Sequence, residues 1–141
     1  MSRPTMPFIS ASRITGFLLA VAFVAAPAQA QEMTPADIVG VYQGFVSSSG
    51  AYWEITTTFK IDEAGQLVGS YIYDENGGSY MGELSRIRLT DDRKIVTIWS
   101  EALGSGVLEA EFSEGFSAFT GLWSGLEDDD AVYPWVGKRL E

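Results

Sequence analysis

Residues Tyr52-Trp53-Glu54-Ile55-Thr56-Thr57-Thr58-Phe59-Lys60-Ile61 decide the fold. Successive side chains of an extended chain point to opposite sides, so Trp53, Ile55, Thr57, Phe59 and Ile61 share one face and Tyr52, Glu54, Thr56, Thr58 and Lys60 the other. Working outward, the same alternation recurs. Residues 38–46 form a run closed by Ser47-Ser48-Ser49-Gly50, and Asp62-Glu63-Ala64-Gly65 reads as a tight hairpin into residues 66–73. Asp74-Glu75-Asn76-Gly77-Gly78 is a second hairpin signal, leading to residues 79–89, with Asp91-Asp92 as the next turn before residues 94–101. Gly104-Ser105-Gly106 leads to residues 107–112, Ser113-Glu114-Gly115 to residues 117–124, and the acidic loop 127–130 to residues 132–139. Eight short runs with connections brief enough for hairpins predict an all-β fold, an eight-stranded antiparallel up-and-down meander closing into a small barrel. The one helix expected is short, near residues 34–38, where Thr34 can cap and Pro35 can occupy the first turn.

Upstream of the barrel the chain changes character. Arg3 and Arg13 flank a start without acids, residues 14–26 are almost wholly apolar, and Pro27-Ala28-Gln29-Ala30 follows. This is the order of a secretory signal peptide, and its apolar core of about thirteen residues is too short for a bilayer span of about 20. Residues 1–30 are therefore expected to be a cleaved leader, residues 31–37 a short linker and residues 38–141 one domain, exported to a bacterial periplasm or beyond. The absence of cysteine excludes disulfides and a lipid-anchored lipoprotein.

Beyond residue 30 there are 7 Lys and Arg against 19 Asp and Glu, a net charge of 7 − 19 = −12. Such a balance, with sparse basic residues, argues against nucleic acid and anionic membrane surfaces as partners. With neither histidine nor cysteine, the commonest general base, the soft metal ligands and every Ser-His or Cys-His pair are missing. Glu54, Glu83, Glu101, Glu109 and Glu111 lie in strand runs, and a carboxylate pair such as Glu109 and Glu111 could in principle hydrolyse glycosides. Their alternation with apolar residues reads instead as a solvated outer face. The acids of loop 127–130 and of the Asp74-Glu75-Asn76 turn carry oxygen ligands, but neither has calcium-loop spacing and turn chemistry accounts for them. No catalytic residue, metal or cofactor is expected, and the chain reads as a non-enzyme. Gly44, Gly69, Gly82, Gly121 and Gly137 fall inside strand runs, where they mark bends or close backbone approaches.

Aromatic residues are the unusual feature. Trp53, Trp99, Trp123 and Trp135 occupy four different runs, joined by Tyr42, Tyr71, Tyr73, Tyr80 and Tyr133. Eight strands enclose either a packed interior or room for one small ligand. A hollow barrel would bind a small apolar or aromatic molecule, with Trp53, Tyr71, Trp99 and Trp123 as its lining and their indole N–H and phenol groups orienting the guest. A filled barrel would instead be a protein-interaction module or inhibitor, acting through acidic loops that include Asp128, Asp129 and Asp130. An integral outer-membrane barrel is disfavoured, because several runs are shorter than the 9 to 11 residues such strands need and the chain does not end in an aromatic residue.

The aromatic placement carries a resemblance. Gly40-Val41-Tyr42, a polar turn, the Thr-rich strand and Gly65-Gln66-Leu67-Val68-Gly69-Ser70-Tyr71 are similar to the opening strands of avidin-type barrels, and Trp123-Ser124-Gly125 to their Trp-bearing strands. The chain thus resembles the avidin and lipocalin (calycin-type) group of ligand-binding barrels over about a third of its predicted mature length. The resemblance implies that a basic residue, Lys138 or Arg139, packs over the first-strand aromatic, Tyr42. It also places Tyr71 in a pocket. Gly44 and Tyr73 stand where avidin-type proteins have polar biotin contacts, which counts against biotin as the ligand.

Overall fold

The computed structural model describes residues 20–22, 32–127 and 131–141. The predicted leader falls almost entirely outside these residues, as do Asp128, Asp129 and Asp130. After a one-turn helix, α1 (Pro35–Ile38), eight strands follow in order: β1 (Gly40–Ser48), β2 (Ala51–Ile61), β3 (Leu67–Glu75), β4 (Gly78–Thr90), β5 (Lys94–Glu101), β6 (Gly104–Phe112), β7 (Ala118–Gly125) and β8 (Tyr133–Arg139). Each pairs antiparallel with the next, and β1 pairs with β8, from Tyr42 opposite Arg139 to Val46 opposite Trp135. The meander therefore closes into a barrel without a free edge, as the alternation predicts.

Turn chemistry sets the strand order. Ser49 and Gly50 (φ 53° and 78°) and Asn76 and Gly77 (φ 52° and 79°) have positive φ at both central positions, which a two-residue type I′ hairpin requires. Asn and Gly tolerate this conformation, which accounts for Asn76 and Gly77 at the turn. Between β2 and β3, Asp62 Oδ1 accepts hydrogen bonds from the Ala64 and Gln66 amides, both at 2.9 Å. β4 carries a bulge between Ser85 and Arg88, centred on Arg86 at φ 51°. The buried Thr97 hydroxyl donates to the Ser85 carbonyl at this bulge, at 2.7 Å.

The two barrel ends differ in chemistry. At the end holding α1, Tyr42, Phe59, Phe112 and Phe119 pack against one another, with the Tyr42 ring 5.4–5.9 Å from the other three. Ile38 closes this end and is fully buried. Thr34 precedes α1, and the Asp37 carboxylate accepts from its amide and hydroxyl at 2.8 and 3.0 Å. Arg139 fastens the plug: its guanidinium lies 5.1 Å from the Tyr42 ring centroid and donates to the Asp37, Val39 and Phe116 carbonyls and to the Tyr42 hydroxyl, at 2.7–2.9 Å. The Tyr42 hydroxyl in turn donates to the Ile38 carbonyl at 2.8 Å. Of the two basic residues considered, Arg139 is the one that packs over the first-strand aromatic. At the opposite end the inward side chains include Tyr71, Tyr73, Trp99, Trp123 and Trp135, and they leave a cavity between them.

Candidate ligand cavity

A cavity of about 210 Å³ opens at the end formed by the β1–β2, β3–β4 and β5–β6 turns. Its rim includes Ser49 and Leu103, the latter 74% exposed. The wall is built from inward positions of strands spaced around the barrel: Tyr71 and Tyr73 of β3, Trp99 and Glu101 of β5, Trp123 of β7 and Trp135 of β8. Tyr71 and Tyr73 stack at 6.2 Å, Tyr71 meets Trp135 edge-on at 4.8 Å, and Trp99 meets Trp123 edge-on at 5.4 Å.

Glycines on adjacent strands make room for these rings. Gly82 lies opposite Tyr71, and a Cβ there would fall inside the Tyr71 ring. Gly106 lies opposite Trp99, where a Cβ would overlap the Ser124 carbonyl and come within 2.7 Å of the indole nitrogen. At Gly44 the constraint is backbone, because a Cβ would overlap the Val136 carbonyl. The in-strand glycines thus serve close approach, as their positions suggested.

The indole N–H groups and the Tyr71 and Tyr73 hydroxyls of the wall donate within the protein. Trp99 Nε1 donates to the Ser124 carbonyl (3.1 Å), Trp123 Nε1 to the Ser47 carbonyl (2.9 Å) and Trp135 Nε1 to Thr57 Oγ1 (3.0 Å). The Tyr71 and Tyr73 hydroxyls donate to the two oxygens of Glu101, at 3.0 and 2.9 Å. Burial chiefly, then the charge of Glu101 and the hydrogen bond to it, push the Tyr71 phenol far above the usual range. Burial, the Glu101 hydrogen bond and its charge do the same to Tyr73, with smaller contributions from Glu75 and Tyr80. Both phenols therefore remain protonated donors at neutral pH. The idea that indole N–H groups orient a guest is overturned: their acceptors are already in the protein, and the indoles offer ring surface instead.

Of the residues expected to line the interior, Tyr71, Trp99 and Trp123 meet in this cavity. Trp53 packs half-buried against the core near the β1–β2 turn, its indole donating to the Ser48 carbonyl at 2.9 Å, and does not form part of the wall. Glu101, Tyr73 and Trp135 were missed as wall residues. Glu54, Glu83, Glu109 and Glu111 are exposed, as an outer face requires, whereas Glu101 is half-buried and faces inward. The signal was available, because Ile95, Thr97, Trp99 and Glu101 share one parity and the first three are buried. Among the described residues no group of three or more acidic side chains is placed to hold a metal ion, and no helix is long and apolar enough to cross a membrane. Comparison with protein-family models, curated proteins and solved structures gives no match for this chain.

Proposed function

We propose that this barrel is an exported, non-enzymatic binding protein of calycin-like type that takes one small molecule with an aromatic or apolar body into the open end. The observation carrying this reading is the asymmetry of the interior: one end is plugged and packed with Phe and Tyr, while the other keeps about 210 Å³ free between indole and phenol rings. That volume corresponds to roughly seven water molecules at about 30 Å³ each, enough for a single-ring compound. A domain needing aromatics only for packing has no use for a gap lined by its largest side chains, since a dry or poorly filled void forfeits contacts. The wall is rigid before any guest arrives, because each indole and phenol is held by a hydrogen bond, and preorganisation lowers the entropy cost of binding.

The test is titration of the folded protein with neutral aromatic compounds, 2-phenylethanol and 2-naphthol, followed by the indole N–H resonances of Trp99, Trp123 and Trp135. Saturable shifts at these three indoles, weakened when Trp123 is replaced by Ala, are expected. Indoles indifferent to every compound of such a panel would dismiss the reading.

A further inference from the structure

The cavity has a charge preference written into its wall. Among the described residues two carboxylates face it, Glu101 from β5 and Glu75 from the end of β3, and no lysine or arginine lines it. Its N–H groups are spent: the three wall indoles donate to protein acceptors, so an anion entering would meet no free donor from them. A guest meets the rings of Tyr71, Trp99, Trp123 and Trp135, set edge-on in the pairs Tyr71–Trp135 and Trp99–Trp123, together with a carboxylate clamped between two phenols. Ring faces carry partial negative charge and attract cations within about 6 Å of their centroids, more strongly once water is excluded. The two phenol bonds hold the Glu101 oxygens in place but use only part of their accepting capacity, since an ionised carboxylate has about four lone-pair sites.

We infer that the ligand is a small organic cation, a protonated amine with an apolar or aromatic body, its ammonium group seated at Glu101 and its body between the rings of Trp99, Trp123 and Trp135. This rests on the ligand-binding reading above and narrows it from any small apolar molecule to one charge class. Fatty acids and other carboxylates are disfavoured by the same wall, because they would bring a further negative charge beside Glu101 and Glu75 while the wall indoles and phenols already donate within the protein. Glu75, to which the Ser48 hydroxyl donates at 3.4 Å, adds negative potential at the mouth and draws cations inward.

Three compounds of one size separate the possibilities: 2-phenylethylammonium, 2-phenylethanol and phenylacetate, each titrated at neutral pH into the full folded domain and read by calorimetry and indole N–H shifts. The cation binds at least about tenfold more tightly than the alcohol, and phenylacetate more weakly than either. Glu101→Gln, checked for folding by near-ultraviolet circular dichroism, closes the gap between cation and alcohol to within about twofold. If the variant does not fold, the ranking on the native protein decides alone. An alcohol that matches or exceeds the cation, or phenylacetate binding as well as the cation, overturns the charge assignment and leaves the ligand-binding reading standing. Failure of all three compounds and of 2-naphthol at the indoles removes the ligand-binding reading, and the charge assignment falls with it.

Discussion

Arg139 concentrates more hydrogen bonding than any other side chain of the plugged end, donating to three backbone carbonyls and one phenol while stacking on Tyr42. Its planar fork suits such a set, and an ammonium group cannot reproduce it. Arg139→Ala is expected to cost about 3 kcal/mol, because partly buried carbonyls lose a charged donor, and Arg139→Lys to recover less than half of that. Urea denaturation measures both; a loss below about 1 kcal/mol for the alanine variant would contradict this role. At the other end, Tyr71 and Tyr73 make stability depend on alkaline pH. Their folded-state phenols ionise well above the ordinary value near 10, so above about pH 10 the unfolded chain releases protons that the native state retains. The native state then binds more protons, and stability falls as pH rises. The double variant Tyr71→Phe with Tyr73→Phe should flatten the decline in Tm between roughly pH 9 and pH 11.

At the scale of the elements, the cavity wall depends on strand pairs in which one partner has no side chain. Tyr71 on β3 crosses Gly82 on β4, and Trp99 on β5 crosses Gly106 on β6. Gly82→Ala must push the Tyr71 ring off its seat and break its alignment with Glu101. An overpacking cost of about 1–3 kcal/mol follows, together with loss of the indole shifts on adding 2-phenylethanol. Full affinity in that variant would show that the Tyr71 wall is dispensable. The bulge at Arg86 works differently, letting β4 curve while Thr97 satisfies the Ser85 carbonyl.

Considered whole, the chain is strongly acidic, with 9 Lys and Arg against 19 Asp and Glu. Exposed acids on the outer faces, among them Glu54, Glu83, Glu109 and Glu111, repel one another across the barrel surface. Closure forces them onto one small cylinder, a cost the expanded chain largely escapes. Tm should therefore rise as sodium chloride increases from about 10 mM to about 0.3 M, where the screening length shrinks from about 30 Å to several ångströms. An unchanged or falling Tm would mean that attractive pairs outweigh this repulsion.

Alternation in residues 52–61 and the Ser49-Gly50, Asn76-Gly77 and Asp62 turn signals were sufficient for the eight strands and their order, because strand parity and turn conformation are local properties of the chain. The capped helix at Thr34 and Pro35 was legible for the same reason. What local pattern could not supply was which inward residues meet. Trp53 has the right parity yet spends its indole within its own hairpin, while Glu101 reaches Tyr71 and Tyr73 across 30 and 28 residues of sequence. Barrel closure and the stagger between strands bring those groups to one end, and only that juxtaposition gives the interior its vacancy and its sign of charge.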